Sequence, residues 1–344
     1  MRIRRPRHRH LTRLLSLTAG AATAGMVGVA LVSPWPAAMV IRALFERDAK
    51  RTCAEMARHV PTGGLAETLD IAYGDEGART RLDVFSPEPA DGALPTVVWI
   101  HGGAWISGDK VDVRPYVRRL AHEGFTTIAV SYPLAPERTY PASVTSLNAA
   151  LGHVLEHADE LRVDPSRIVV AGDSAGANLT SQLATAVTNR GYAEETGLQP
   201  ALTPAQLRGV VLNCGIYDVS SVPEAPGLGG WGFRIALWAY LGRRVGRGSP
   251  GGQLLAAHEM STLEQVTADF PATWISGGNG DPLTTRQSKA LAARLERLGV
   301  DCTAVFYADD VEPALPHEYQ FHLDLPAARD AYGSTLSFLR RVLR

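Results

Sequence analysis

The chain has 344 residues, of which 45% are hydrophobic and 20% are charged, a size and composition typical of one large α/β domain with additions. Its formal net charge is −1, so the chain as a whole lacks the basic balance of nucleic-acid-binding proteins, and no nucleic-acid partner is predicted. Its three cysteines lie far apart without metal-ligand spacing, and an odd number cannot pair fully, so no metal site is predicted.

The N-terminus is strongly basic and is followed by an uncharged apolar run. Arginines crowd the first thirteen residues, and no charged residue occurs from Leu14 to Ile41. This pattern predicts an export signal or a membrane anchor, because Leu14 to Val32 is close to the roughly 20 residues of one bilayer span. Ala22-Thr23-Ala24 offers a cleavage pattern, but the apolar run continues past it, which favours a retained anchor.

The arginines ahead of the span predict that the rest of the chain lies outside the membrane, either anchored or secreted. The alternative is a hydrophobic N-terminal helix packed on a soluble domain. We therefore divide the chain into residues 1–44, the basic segment with its apolar signal or anchor, and a main domain of residues 45–344.

After Pro36, an amphipathic helix is predicted from Ala37 to Arg58. Two strands joined by a hairpin turn follow, and strands then alternate with helices, which predicts a mostly parallel sheet with helices on both faces. The predicted strands are 67–73, 79–85, 96–100, 126–131, 167–171, 209–213, 272–276 and 303–307. The predicted helices after the first are 113–123, 143–161, 177–189, 285–298 and 327–343.

Two segments interrupt this alternation. Residues 191–206 are predicted to be a loop insertion. Residues 219–265 contain an aromatic patch that is compatible with a helix, and they are predicted to be a small cap insertion over the strand ends, where ligands bind in this architecture. The alternative for the second segment is a small satellite core beneath a long loop.

The segment from Ile168 to Asn178 predicts a nucleophile elbow. An apolar strand runs into Gly172-Asp173-Ser174-Ala175-Gly176, and a helical pattern begins at once. The flanking glycines permit the strained turn, which would expose the Ser174 hydroxyl beside the Ala175 amide. Asp173 is interpreted as a structural turn residue.

A serine nucleophile also needs oxyanion donors. An apolar strand ends in His101-Gly102-Gly103, followed by Ala104 and Trp105, as in the oxyanion element of serine hydrolases. We therefore expect donors from the backbone amides of Gly102, Gly103 and Ala175.

The serine needs a base, and the base needs an orienting acid. Asp281 follows a strand and a glycine loop, and it also precedes a proline as a helix N-cap would. His317 and His322 follow it in the chain, and His317 is favoured as the base because it lies in a loop between the last strand and the last helix. The predicted order is Ser174, Asp281, His317.

Five ordered motifs make the chain similar to α/β-hydrolase fold esterases and lipases of the hormone-sensitive-lipase-like group. They are HGGAW (101–105), SYPLAPE (131–137), GDSAGAN (172–178), GNGDPL (278–283) and PHEYQF (316–321). The resemblance covers about residues 65–344. It implies a carboxylesterase or lipase with Ser174 as nucleophile, His317 as base and Asp281 as acid, and no cofactor.

The motifs depart from the usual pattern of this group at three places. Ala104 stands where a third glycine is usual, Pro133 replaces an arginine common before Leu134-Ala135-Pro136-Glu137, and Glu318 follows the histidine where glycine is common. None of these changes removes a catalytic group. The first leaves the accepted acyl or alcohol group open, and the second leaves open how the 131–137 loop is anchored.

The sequence thus predicts a serine carboxylester hydrolase that acts on small-molecule esters with small to medium acyl groups. A polysaccharide acetyl or feruloyl ester, a lipid ester at the membrane and an amide remain alternatives, because the pocket and not the triad decides among them. Outside enzymes, the alternatives are a hydrolase-like ligand-binding protein and a membrane-bound interaction protein.

Overall fold

The structure is a computed structural model that describes residues 33–89, 92–224, 227–242 and 255–344. The predicted signal or anchor from Leu14 to Val32 lies outside these ranges. Among the residues described, no helix is both long enough and apolar enough to cross a bilayer.

Eight strands form the central sheet. They are β1 (Leu65–Ala72), β2 (Arg81–Pro87), β3 (Leu94–Ile100), β4 (Thr126–Val130), β5 (Val163–Asp173), β6 (Leu207–Asn213), β7 (Thr273–Gly277) and β8 (Cys302–Phe306). Their spatial order is β1-β2-β4-β3-β5-β6-β7-β8. β2 pairs antiparallel with β1 and β4, and every other pairing is parallel. The predicted mostly parallel sheet is therefore confirmed.

Nine α-helices accompany the sheet within the described ranges. They are α1 (Trp35–Ala57), α2 (Lys110–Ala121), α3 (Ala142–Glu156), α4 (Ala175–Thr188), α5 (Arg190–Thr196), α6 (Gly227–Leu241), α7 (Leu255–Met260), α8 (Ser288–Arg297) and α9 (Pro326–Val342). Short 3-10 helices lie at Gly77–Thr80, Val219–Glu224 and Tyr319–Phe321. The short helix α5 occupies the start of the segment predicted as a loop insertion.

Helices cover both faces of the sheet, so its inner strands are buried on both sides. Along β3, Val97 and Trp99 join one buried cluster with residues of α2 and α9. Val98 and Ile100 join another with residues of α3, α4 and α8. Successive side chains of a strand point to opposite faces, which is why strands covered on both sides have continuous apolar sequences instead of alternating ones.

Helix α1 runs through residues 44 and 45, the predicted boundary between the N-terminal segment and the main domain. It is fastened to that domain by Arg42, whose Nε donates to Ile106 O at 2.5 Å and whose Nη2 donates to Ala135 O at 2.7 Å. The guanidinium also binds both carboxylate oxygens of Glu137, at 2.7 and 2.6 Å. A chain cut at residue 45 would lose this attachment.

Candidate active site

Ser174 lies in a sharp turn between β5 and α4. Its backbone has φ +49° and ψ −117°, a strained conformation for a residue with a side chain. The flanking glycines are required by space, because a Cβ on Gly172 would lie 2.5 Å from Gly176 C and one on Gly176 would lie 2.1 Å from Ile100 O. The turn therefore brings β3, β5 and α4 close together at the carboxyl ends of the strands.

Ser174, His317 and Asp281 are connected by hydrogen bonds. His317 Nε2 lies 2.9 Å from Ser174 Oγ, and His317 Nδ1 lies 2.8 Å from Asp281 Oδ2. Asp281 is buried, and its other oxygen accepts a hydrogen bond from the Leu283 amide at 2.9 Å. With the Nδ1 hydrogen directed to Asp281, His317 Nε2 is an acceptor for the serine hydroxyl.

The other candidate base lies elsewhere. His322 Nδ1 is 3.0 Å from Glu55 Oε2 of α1, so this imidazole pairs with the N-terminal helix. Of the two histidines that follow Asp281, His317 is the one beside Ser174.

Asn279 joins the acid loop to the histidine loop. Its Oδ1 accepts from the Leu315 amide at 2.8 Å, and its Nδ2 donates to Val311 O at 2.8 Å and Ala308 O at 3.1 Å. The Gly280 amide adds a bond to Leu315 O at 2.9 Å. These contacts hold the two loops together and so keep Asp281 next to His317, although 36 residues separate them in the chain.

The electrostatic surroundings favour the protonated form of His317. Burial of the imidazole lowers its pKa, but the charge of Asp281 and the hydrogen bond to it outweigh burial, with further help from Glu318 and Asp173. Together they raise the pKa of His317 to about 9. The surroundings therefore stabilise an imidazolium at this position, beside the hydroxyl of Ser174.

Cys214 lies behind this pair. One ligand atom each of Cys214, Asp281 and His317 fall within 4.8 Å of one another, a set able to contact a metal ion. Burial, followed by the charge of Asp281, raises the pKa of the Cys214 thiol well above its usual value. The thiol is therefore neutral, and Asp281 and His317 are bonded to each other, so the donor set does not favour a cation.

The hydrogen bonds of the loop after β3 contradict one of the predicted oxyanion donors. The Gly102 amide donates to Asp173 Oδ2 at 2.7 Å, and Trp99 Nε1 donates to Asp173 Oδ1 at 2.7 Å. An amide has one hydrogen, so Gly102 is not free to bind an oxyanion, and its predicted role is wrong. The amides of Gly103, Ala104 and Ala175 donate to no protein acceptor within the described ranges.

The same loop requires unusual backbone conformations. Gly103 has φ +108°, and a Cβ there would lie 2.3 Å from Ser107 O. Ala104 and Trp105 also have positive φ, at 52° and 60°. The loop therefore curls tightly after β3, and among the described residues its consecutive amides at 103 and 104 have no hydrogen-bond acceptor.

A cavity of about 450 Å³ opens above Ser174. One wall comes from α1, which contributes Phe45, Thr52 and Met56, and α6 contributes Phe233. The remaining wall combines the β3 loop with the histidine loop. It includes Gly102, Gly103, Ala104, Asp173, His317, Glu318, Phe321 and His322.

Two features of the site were not predicted from the sequence. Asp173, interpreted as a turn residue, is the acceptor that holds the β3 loop. Helix α1 was predicted as a helix but not as a wall of the cavity. Its Arg42 binds Ala135 and Glu137 and so anchors the 131–137 loop, the point that Pro133 left open in the sequence. A lone arginine on a distant helix gives no local signal of such a partner.

Comparison with known proteins identifies the family of the chain. A family model described as the alpha/beta hydrolase fold matches residues 97–315. Carboxylesterase NlhH of Mycobacterium tuberculosis is 34% identical over 269 residues, which cover 76% of this chain and 77% of that protein. Probable carboxylic ester hydrolase LipM of the same organism is 28% identical over 244 residues, 70% of this chain and 54% of LipM, so the chain spans about half of LipM.

Among solved structures, esterase B from Lactobacillus rhamnosis is similar in fold, with a TM-score of 0.75 at 23% identity, covering 89% of this chain and 95% of that one. The family match covers more than half of the chain and contains the β3 loop, the serine turn and the acid loop. The chain therefore belongs to the alpha/beta hydrolase fold family.

Proposed function

We propose that this protein hydrolyses carboxylic esters with small to medium acyl groups by a two-step serine mechanism. The observation that carries the proposal is the hydrogen-bonded series Asp281–His317–Ser174. It ends at a cavity beside amides that have no acceptor in the part of the chain that the structure describes. The chain is a carboxylic ester hydrolase by its similarity to the carboxylesterase NlhH and the fold it shares with esterases. The residue roles, the oxyanion site and the substrates form the proposal itself.

In the first step, Ser174 Oγ attacks the ester carbonyl while His317 Nε2 accepts the hydroxyl proton. The tetrahedral intermediate collapses, His317 protonates the leaving alcohol, and the acyl group remains on Ser174. Asp281 stays ionised throughout and fixes the imidazole with its Nδ1 hydrogen directed to the carboxylate.

In the second step, a water molecule takes the place of the alcohol. His317 accepts a proton from that water, the resulting hydroxide attacks the acyl carbonyl, and Ser174 leaves with the proton returned by His317. The products are the free carboxylic acid and the alcohol.

The oxyanion of both intermediates is assigned to the amides of Gly103, Ala104 and Ala175. Gly103 and Ala175 are the predicted donors, and Ala104 replaces Gly102 because the Gly102 hydrogen is bound by Asp173. Each such donor contributes about 3 kcal/mol to transition-state stabilisation in serine hydrolases.

The preference for small to medium acyl groups is supported by the size and lining of the cavity. Its volume of about 450 Å³ is near the lower end of the range of about 300–1,000 Å³ for small-molecule pockets. Phe45, Met56, Phe233 and Phe321 offer apolar contacts to an acyl chain.

We also propose that the basic segment and apolar run of residues 1–32 direct the enzyme out of the cytoplasm, as an anchor or as a cleaved signal. Fractionation of cells that express the full chain or residues 33–344 tests this step. The full chain is expected outside the cytoplasm or at the membrane, and the shorter chain inside.

The test of the activity is hydrolysis of p-nitrophenyl esters from acetate to palmitate by the full chain and by residues 33–344, which retain all of α1. Activity is expected to peak at short or medium chains and to vanish in Ser174→Ala. His317→Gln should be inactive, whereas His322→Gln should keep at least a tenth of the activity. Activity on long chains alone would indicate a lipid esterase at the membrane.

A folded wild-type protein without activity on the series would favour another acyl bond, such as a polysaccharide ester or an amide. It would equally fit the ligand-binding alternative. Full activity in folded Ser174→Ala would refute the serine mechanism.

A further inference from the structure

Two carboxyl groups meet beside the nucleophile without belonging to the triad. Asp173 directly precedes Ser174 and is buried, and Glu318 directly follows His317 with a side chain that is 30% exposed. Both converge on Gly102, where a Cβ would lie 2.4 Å from Asp173 Oδ2 and 2.7 Å from Glu318 Oε1. The two carboxyl groups thus approach the same point beside Gly102. Two carboxylates this close repel each other when both are ionised, so the arrangement favours a proton held between them.

The backbone of Glu318 has an unfavourable conformation. Its φ of +57° and ψ of +31° lie in the left-handed region, which glycine adopts far more readily than glutamate. Its side chain does not cap the 3-10 helix Tyr319–Phe321 that follows it. Residues persist in such conformations where their surroundings hold them, and they cluster at functional sites. The carboxyl group of Glu318 lies near both Asp173 and His317.

Glu318 also approaches the reacting nitrogen of His317. Its Oε1 lies 3.9 Å from His317 Nε2, the atom that exchanges protons with Ser174. At this distance a carboxylate favours a protonated imidazole. On the other side, Asp173 holds the Gly102 amide and thereby the loop that carries the amides of Gly103 and Ala104.

We infer that Asp173 and Glu318 form an acid pair with one shared proton, through which Glu318 sets the basicity of His317 and supports the oxyanion loop. This inference rests on the proposed ester hydrolysis and deepens it. Glu318 is a positioning residue, because it acts through Asp173 and His317 and transfers no proton to the substrate.

The electrostatics of the neighbouring groups agree with the pair. Burial, and next the charge of Glu318, raise the pKa of Asp173 well above its usual value, as expected for two carboxyls that cannot both ionise. Both carboxyls add to the effect of Asp281 in raising the pKa of His317.

Four further titratable groups close to the pair carry no charge near neutral pH. Burial raises the pKa of the Tyr116 and Tyr132 phenols and of the Cys214 thiol, and it lowers that of His101 to about 4. Asp48, Arg51, Asp112 and His322 also line the cavity, and burial raises the pKa of Asp112 to about 6. Within the described ranges, the anionic groups that act on His317 are thus Asp281 and the acid pair.

The experiment compares the pH dependence of kcat/KM on p-nitrophenyl butyrate for the full-length wild type, Glu318→Gln and Glu318→Gly. In both variants the midpoint of the acid limb should fall by about 1 pH unit, because the negative charge near His317 Nε2 is removed or moved away. Gln can still donate to Asp173, so its plateau activity should remain within about tenfold of the wild type. Glycine suits the left-handed backbone, so that variant is expected to fold.

Glu312→Gln is the matched control. It makes the same chemical change in the same loop at an exposed side chain, and its profile should equal that of the wild type. An equal loss of activity at every pH with an unchanged midpoint, or no change at all, would overturn the inference and leave Glu318 a structural residue. Either result, with an active wild type and inactive Ser174→Ala, leaves the proposed function intact. An inactive wild type refutes the proposed function instead.

Discussion

The attachment of α1 by Arg42 gives a testable link between stability and substrate binding. Arg42→Ala removes four hydrogen bonds, two to backbone carbonyls of neighbouring loops and two to Glu137. The Arg42 side chain is only 13% exposed, whereas that of Glu137 is 47% exposed. The bonds to Glu137 are therefore the weaker part, because an exposed ion pair contributes about 0–1 kcal/mol.

The two carbonyl bonds decide the magnitude. Ile106 O and Ala135 O accept from a charged donor, and such bonds contribute about 1.5–3 kcal/mol each to stability. Rearrangement of the neighbouring groups in the variant reduces the net loss. Water can reach part of the vacated space, so we expect a loss of about 3 kcal/mol in the free energy of unfolding. Because α1 forms one wall of the cavity, KM should rise more than kcat falls, and more for butyrate than for acetate.

Urea denaturation and steady-state kinetics on the two p-nitrophenyl esters measure both effects. Arg47→Ala is the control, since it removes an exposed arginine from the same helix. Glu137→Gln separates the carbonyl bonds from the ion pair and should lose less than about 1 kcal/mol. A stability loss for Arg42→Ala below about 0.5 kcal/mol, with unchanged KM, would show that α1 is held by other contacts.

Three further predictions concern the triad, the turn and the core. Asp281→Asn removes the main charge that raises the pKa of His317 to about 9. The base works only when neutral, so the rise of kcat/KM with pH should move from near 9 towards 6.5, with kcat reduced by about 10⁴. Gly176→Ala forces a Cβ to 2.1 Å from Ile100 O and should lower stability by about 3 kcal/mol and abolish activity. Lys110→Met leaves buried Asp83 with Arg114 as its remaining cation and should lower stability by about 2–3 kcal/mol without changing KM.

Each of these has a result that would contradict it. An unmoved pH profile in Asp281→Asn would assign the basicity of His317 to other groups. Gly333→Ala is the control for the turn, because a Cβ at that helical site meets nothing within 4 Å. This control should raise the free energy of unfolding by about 0.5–1 kcal/mol. If Gly176→Ala were as stable as Gly333→Ala, the close crossing of α4 over β3 would be disproved. Calorimetry that finds Lys110→Met as stable as the wild type would show that Arg114 alone neutralises Asp83.

The sheet and its helices were largely predictable because their signals are local. Apolar runs bounded by glycine and proline give the strands from β3 onward to within a few residues, and every predicted helix after the first is present with similar bounds. The elbow around Ser174 follows from a strand, two glycines and a helix in immediate succession. The acid and the base were harder to choose, and chain order with loop context was enough to favour Asp281 and His317.

The error at Gly102 shows where sequence reasoning stops. A glycine pair after a strand predicts amides near the substrate, but the amide that faces the substrate depends on the turn and on its partners. Here the Asp173 carboxyl takes the first amide. The same limit applies to Arg42 and Glu318. Ala135, which accepts a hydrogen bond from Arg42, lies 93 residues further along the chain. Asp173, which Glu318 approaches, lies at the end of another element, β5.

The wall that α1 gives to the cavity has an evolutionary consequence. Phe45, Thr52 and Met56 precede the family-matched region, which begins at residue 97 and contains the serine, the acid and the β3 loop. On the proposed function, selectivity and reactivity are encoded partly in separate stretches of the chain. A library randomised at these three positions would sample new ester preferences while the proton-transfer machinery stays constant, and a helix grafted from a relative would carry part of its preference with it.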